Sequence, residues 1–521
     1  MSGPLGITTM PEADTLREFA RRPAALVRVG GAIRALRRAD SEEERARART
    51  ALAATLADAR GLPMKVGQFL GTLPGDAAFA PLSEGVDPLP WQRIRPVLAD
   101  GLGAKLNRHF ERIEEIGQAA SLGQVHRALL RDGTVAAVKL QYPGIGGAVS
   151  LEMGLAGLLP GAGPVRRWGF DLSGYKQLFK QNLQRELDYA EEAARQSRFR
   201  ASVQLTSVVI PEVFSDLCCK TVLTQRWEES QPLSAARAWS SRDRRHLADA
   251  LVGLFMASVF RTGMLHADPH GGNWRCRMMR PGQPELVLYD FGCVLELTRR
   301  QRDGLRRMAE AAPGCTPAEA LEAMAEAGFD AEKLGAMQHL LPALLALLFE
   351  PLMSPGAYDA RCWKLGARID TLLGDHKWWF RSAGPPELLL LMRAAHGVLV
   401  HLSTLDTDAD WAAAGRAAEL RLRTRSVELP KEAPVAARSN AAAEFLRVRV
   451  MEQGLQRIAV SMPAEQVARL GELMPDEVLA RTRAMGLNPE SIGQAAAASG
   501  CLPQELFSLE LAGRSYRVWL E

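Results

Sequence analysis

HADPHGGN occupies residues 266–273, and YDFG follows at residues 289–292. Asp268 and Asn273 stand five apart, and Asp290 comes seventeen after Asn273. A helical pattern over 242–263 leads into the first stretch. The second closes ELVLYDFG (285–292), which reads as a buried strand ending in a turn. Upstream, IEEIGQ, LGQVHRALL and TVAAVKLQY are short runs rich in branched residues, and RDG (131–133) between the last two signals a hairpin. DLSGYKQLFKQNLQRELDYAEEAARQSRFRAS (171–202) predicts one long helix, and VVIPEVF and KTVLTQRW return to strand. From Thr298 to about residue 425 the pattern is helical. Residues 426–443 carry two prolines and no periodicity, as a linker does. FLRVRV, QRIAVSM, two helices and the hairpin LFSLEL-AGR-SYRVWL then predict a small α+β unit.

The order of parts is three strands with a lysine on the third, a helix bearing acids, a His-x-Asp loop and Asp-Phe-Gly. It is that of a protein-kinase-like fold. Phosphoryl transfer asks for charge neutralisation and alignment more than for covalent chemistry. Lys139, on a strand, would present a compact ammonium to phosphates, and a helical glutamate would hold it. The choice of lysine is informative because only 10 of the 64 basic residues are lysine. Asn273 and Asp290 offer oxygen ligands suited to Mg²⁺, and Asp268 would orient or deprotonate an attacking hydroxyl. Two features depart from a protein kinase. The phosphate loop reads Gln118-Ala119-Ala120-Ser121-Leu122-Gly123, with only the last glycine of the usual three. No APE-like element follows DFG, so the platform for a peptide substrate is expected to be absent.

These departures form a pattern. KVGQ (65–68), QAASLGQVH (118–126), VAAVKLQYPGI (135–145), RELDYAEEAARQSRF (185–199), HADPHGGNW (266–274) and YDFG (289–292) together resemble the UbiB/AarF/ADCK family of atypical kinase-like proteins, over roughly residues 50–410. The resemblance implies ATP (or ADP) and Mg²⁺ as cofactors, with Lys139 as the strand lysine and Glu192 as its helical partner. Gln118, Ala119, Ala120 and Ser121 would form the phosphate loop, and Gln225 and Trp227 the hinge side. Glu186 and Asp188 would be the ExD motif. Lys65, with Gln68, would be a regulatory plug reaching toward that motif across the peptide site. Sequence departures from the family are Gln118 in the first alanine position of the loop, Gly271 where proline is usual, and Gln225-Arg226 where an apolar pair is usual.

Composition agrees with a globular chain: 47% hydrophobic, 24% charged, net charge +4. That balance argues against nucleic acid as a partner. Seven scattered cysteines without a CxxC exclude a zinc ribbon or disulfide framework and suit a reducing, cytoplasmic compartment. Residues 14–60 read as a basic amphipathic helix that either packs on its own domain or lies at the inner face of a membrane. LPALLALLFEPLM (341–353) is too short to span a bilayer, and ELLLLMRAAHGVLV (387–400) carries Glu387, Arg393 and His396. Neither is expected to span a bilayer, and for 341–353 a core role is expected ahead of a lipid groove. His266 is expected to hold the catalytic loop's backbone, and His126 and His270 to be structural.

The expected organisation is an N-terminal helical extension (1–108), a strand-rich lobe (109–235), a helical lobe (236–425), a linker (426–444) and a small α+β domain (445–521). Three functions fit. One is Mg²⁺-dependent ATP hydrolysis or small-molecule phosphotransfer, which the resemblance links to isoprenoid-quinone or lipid metabolism. Another is a nucleotide-gated module binding a lipid or protein partner. A third, an aminoglycoside- or choline-kinase-like phosphotransferase, leaves KVGQ unexplained.

Overall fold

The computed structural model describes residues 88–120, 122–145, 172–422, 442–452, 455–511 and 514–521, with Glu44, Arg47 and Ala51 besides. Lys65, Gln68, Ser121 and most of the 14–60 and 426–443 segments lie outside the described residues.

The first lobe is an antiparallel sheet. Its strands are β1 (Phe110–Ile113), β2 (Gln118–Ala119), β3 (Gly123–Leu130), β4 (Val135–Gln141) and β6 (Val222–Arg226), in the order β1-β3-β4-β6 with β2 on β3. The turn between β3 and β4 works as its sequence suggests. Gly133 has φ 86°, and the Asp132 carboxylate accepts the amide of Thr134 at 2.9 Å. Ile94, Leu98 and Leu102, on one face of the Trp91–Leu102 helix, are buried with Ala136, Val138 and Leu140 of β4 in one apolar cluster. IEEIGQ is not one strand. The chain leaves the sheet after Ile113, exposes Ile116 and passes over His126, where a Cβ on Gly117 would lie 2.8 Å from the ring. Gly123 is needed for a different reason than phosphate approach: a Cβ there would fall 2.1 Å from the Leu140 carbonyl oxygen on β4.

The expected helix 171–202 is two helices, Leu172–Glu186 and Tyr189–Ser202. Asp188 breaks it. With φ −126° it leaves helical space, and its carboxylate accepts the amides of Ala190 and Glu191 at 3.1 Å each. That N-cap starts the second helix in a fresh direction.

The second lobe is helical around a smaller sheet. Strands β5 (Val208–Val209), β7 (Gln231–Pro232), β9 (Trp274–Arg280) and β10 (Gln283–Leu288) run in the order β5-β10-β9-β7, while β8 (Met264–His266) pairs with β11 (Val294–Glu296). The Ser241–Met256 helix buries Leu247, Leu251, Val252 and Leu254 beneath them. In the Leu341–Leu348 helix, Leu341, Leu344 and Leu345 have no exposed surface, so this run is core. The Leu388–Leu405 helix is long and apolar enough to cross a membrane by length and composition, with mean hydropathy 1.5. Its buried positions, Leu390, Arg393, Ala394, Gly397, Val398, His401, Leu402 and Leu405, repeat at helical spacing and pack on the lobe.

The C-terminal strands β12 (Phe445–Glu452), β13 (Leu455–Pro463), β14 (Gln504–Leu511) and β15 (Arg514–Leu520) form a sheet in the order β13-β12-β15-β14. It has its own helices, and its apolar residues run on into the core of the helical lobe. The Phe445 ring lies 4.6 Å from that of His376, which contacts Glu444 at 3.2 Å.

Candidate active site

Between the two lobes lies a cleft of about 510 Å³. Its wall includes Gln118 and Ala119 from β2 with Ala120 just beyond it, Lys139 from β4, and Glu192 from the Tyr189–Ser202 helix. Gln225 and Trp227 come from the end of β6, Asp268 and Asn273 from the loop between β8 and β9, and Asp290 from the turn after β10. The fold thus gathers into one cavity nearly every described residue that the sequence nominates.

Lys139 is the hub. Strand pairing sets it opposite Val125 on β3 and Leu223 on β6, which fixes the side on which its stem emerges. Its ammonium donates to Glu192 at 2.8 and 3.0 Å and to Asp290 Oδ2 at 3.1 Å. The Tyr189 ring lies 4.8 Å from the same nitrogen. Burial works against the ammonium, but the carboxylates of Asp290 and Glu192 outweigh it and hold Lys139 charged well above the usual lysine value. Burial pushes the Glu192 carboxyl up to about 6 despite the ammonium beside it. The cluster is therefore a charged lysine between two carboxyl groups.

Asp290 adopts φ 57°, the left-handed region that aspartate tolerates better than most side chains. Its Oδ1 accepts the Gly292 amide at 3.1 Å, so the carboxylate closes its own turn and aims Oδ2 at Lys139. A Cβ on Gly292 would meet Glu186 Cγ at 3.0 Å, which places buried Glu186 directly against the DFG turn. Asp188 does not share that position: it caps a helix and lines a separate cavity with Gln184 and Lys220.

His266 holds the DFG turn rather than the loop that bears it. Its Nε2 lies 2.8 Å from the Asp290 carbonyl oxygen and 3.1 Å from that of Tyr289. Burial lowers its pKa, so at neutral pH the ring is uncharged. Arg195, one turn beyond Glu192, donates to the carbonyls of Phe291 and Gly292 at 2.7 and 2.8 Å. His126 is structural, with Nδ1 2.7 Å from the Glu114 carbonyl oxygen. His270 lines the cleft and accepts the Gly272 amide. Gln225 is held by Gln196 at 2.6 Å, and Arg226 turns outward to Glu212 at 2.7 Å, which accounts for polar residues at both positions.

Asp268 is nine-tenths buried on its side chain. Its Oδ2 accepts from Asn273 at 3.0 Å and its Oδ1 from Arg393 at 2.6 Å. Sequence reasoning gave Arg393 no role here. The available signal was a lone arginine inside a run of leucines, since a buried charge is nearly always paired.

Among the described residues no cluster of three or more His, Cys, Asp or Glu could hold a metal alone. Asp290 and Asn273 are nevertheless a fitting donor pair for Mg²⁺, which takes one or two protein oxygens and leaves the rest to phosphates and water. The Tyr289 amide donates to the Asn273 carbonyl at 2.9 Å, tying their two segments together.

The ABC1 atypical kinase-like domain matches residues 81–314, the stretch that supplies all of this geometry except Arg393. Residues 81–314 thus carry the kinase-like domain of the UbiB/AarF/ADCK family of atypical kinase-like proteins. Its two lobes are the small strand-rich and larger helical lobes of that α+β kinase-like fold. The atypical kinase coq-8, mitochondrial, of Caenorhabditis elegans is 26% identical over 350 residues, 64% of this chain and 46% of the relative. The probable protein kinase UbiB of Pseudomonas entomophila is 31% identical over 259 residues, 47% of this chain and 48% of the relative. The chain therefore spans about half the length of those curated relatives. A solved structure of the Rv3197–erythromycin complex from Mycobacterium tuberculosis aligns with TM-score 0.47 and 22% identity, covering 79% of this chain and 97% of that one.

Proposed function

We propose that the cleft binds a Mg²⁺-nucleotide and that the chain hydrolyses ATP or transfers its terminal phosphoryl group to a small molecule. The observation that carries this reading is the single cavity in which Lys139 bridges Glu192 and Asp290 while Asp268 and Asn273 face them. Lys139 offers its ammonium to nucleotide phosphate. Glu192 holds the ammonium at the cleft, and Asp290 and Asn273 offer oxygens to the metal. A bound Mg²⁺ would neutralise charge on the phosphates. Asp268 orients the attacking oxygen and receives its proton. The alanine-rich turn at Ala119–Ala120 covers the phosphate end, and Trp227, whose amide donates to the Val135 carbonyl, stands at the hinge end.

Among the described residues no element after the DFG turn offers a peptide platform: β11 runs directly into the Arg299–Ala311 helix, capped by Thr298. Small-molecule chemistry or hydrolysis fits that arrangement better than protein phosphorylation. A role in isoprenoid-quinone or lipid metabolism, at the face of a membrane, follows from the family resemblance. The test is Mg²⁺-dependent release of phosphate from ATP by the purified full chain, with Asp290→Asn as control. Turnover lost in that variant supports the reading. Mg²⁺-nucleotide binding without turnover in the wild type would favour a nucleotide-gated module instead.

A further inference from the structure

Arg393 sits at the middle of the Leu388–Leu405 helix, among leucines, with a side chain 4% exposed. Packing alone does not require a charge there. An apolar residue of similar length would fill the space without the desolvation cost that a buried guanidinium carries. What specifies the arginine is its partner: Nη2 donates to Asp268 Oδ1 at 2.6 Å. Asn273 holds the other carboxylate oxygen, and Trp274 Nε1 donates to the Asp268 carbonyl at 2.9 Å. One turn beyond Arg393, the helix backbone itself supports the loop. A Cβ on Gly397 would fall 2.0 Å from Pro269 Cβ. The helix thus touches the HADP segment twice, once by charge and once by bare backbone, and lies outside the residues matched by the kinase-like domain.

We propose that Arg393 is a positioning residue for Asp268. Its guanidinium fixes the plane of the carboxylate from the Oδ1 side while Asn273 fixes Oδ2, so that Asp268 meets an attacking oxygen in one orientation. Two donors on two oxygens define a plane, and one donor leaves the group free to turn about Cβ–Cγ. The catalytic meaning of this clamp rests on the phosphoryl-transfer reading above; its structural meaning does not.

The experiment uses the full chain as wild type, Arg393→Ala, Arg393→Lys and Asp268→Asn, and reads three quantities. The first is amide hydrogen exchange in peptides covering residues 266–274. In Arg393→Ala it rises by about tenfold, while peptides covering β4 and the Tyr189–Ser202 helix stay as in wild type. The second is Mg²⁺-ADP affinity from thermal shift, which stays within about twofold because Arg393 donates to Asp268, outside the Lys139–Glu192–Asp290 cluster. The third is kcat for ATP hydrolysis, which falls by about 10²-fold through misplacement of Asp268. Guanidinium at a non-denaturing concentration restores both loop protection and kcat in Arg393→Ala. Arg393→Lys keeps charge and stem, guards against simple unfolding, and lies between the two because an ammonium cannot present a planar fork. Adding Arg393→Ala to Asp268→Asn lowers kcat no further. Unchanged exchange over 266–274 in Arg393→Ala, or unchanged kcat, overturns the proposal. So does a loss that spreads evenly through the chain and ignores guanidinium. If wild type shows no turnover, the phosphoryl-transfer reading fails, and the exchange arm decides the clamp by itself.

Discussion

Asp290 and Asp268 face the same cleft, and each meets a cation, but the two pairs are built differently. Lys139, the partner of Asp290, keeps 14% of its side-chain surface open and is shared with Glu192. Arg393, the partner of Asp268, is 4% exposed and comes from a helix more than a hundred residues further along the chain. The first cluster has two carboxylates for one ammonium and remains accessible, so it can take a further cation and present positive charge to phosphate. The second is a buried ion pair that fixes orientation. Ligand-facing chemistry needs solvent access and unbalanced charge, whereas positioning needs burial and matched charge.

The largest expected effect removes the group of the accessible cluster that is proposed to face the metal. Asp290→Asn lowers Mg²⁺-dependent turnover by on the order of 10²–10³-fold, and thermal-shift stabilisation by Mg²⁺-nucleotide disappears while the apo fold survives. Persistent stabilisation would place the nucleotide elsewhere. Next is Lys139→Met, which leaves Glu192 and Asp290 facing each other without a counter-charge. Denaturant unfolding should show a loss of about 3–5 kcal/mol, and a loss below about 1 kcal/mol would mean that solvent already screens the cluster. On the closed side, Gly397→Ala drives a methyl into Pro269. A cost toward about 3 kcal/mol is expected, with reduced turnover although no ligand-facing atom changes. A stability gain from the better helix former would show that the loop simply yields.

The fourth prediction concerns pH. The folded Glu192 carboxyl titrates at about 6 against an ordinary 4.5, so the folded state holds its proton more tightly than the unfolded state. This group's contribution favours the fold below about 4.5 and declines as pH rises through 6. Each tenfold difference in proton affinity corresponds to about 1.4 kcal/mol, so the contribution is about 2 kcal/mol. Comparing the apo stability of wild type and Glu192→Gln across that window isolates it, and identical pH dependences would show that burial is not what raises the carboxyl. The smallest expected effect is Asp188→Ala, which removes an N-cap and should cost about 1 kcal/mol without altering Mg²⁺-nucleotide affinity. A large change in affinity would instead tie Asp188 to the Lys65 plug.

Most of the side chains that line the cleft were legible in the sequence. Lys139, Asp268, Asn273 and Asp290 sit in local patterns whose spacing carries their chemistry, whereas Glu192 is singled out among the acids of its stretch by the family resemblance. The hairpin at Arg131–Gly133 and the alternation in the C-terminal strands could be read because turn chemistry and side-chain period are local properties. The break at Asp188 is hidden because an aspartate within an otherwise helical pattern reads as a surface charge until its cap is seen. His266 reads as a prop for its own loop, but its ring reaches a carbonyl 24 positions further on.

The sequence by itself determined which residue types are offered to the proposed phosphate and metal, because those requirements are written in short motifs and in the identity of single side chains. Tertiary structure alone decided how the carboxylates are held: Arg393 on Asp268, Arg195 on the DFG carbonyls, and Gly397 against Pro269. Each of those contacts joins segments about a hundred residues or more apart, and its energy depends on distances of a few ångströms and on exclusion of water. Neither quantity exists in the chain until the helical lobe has packed around the loop.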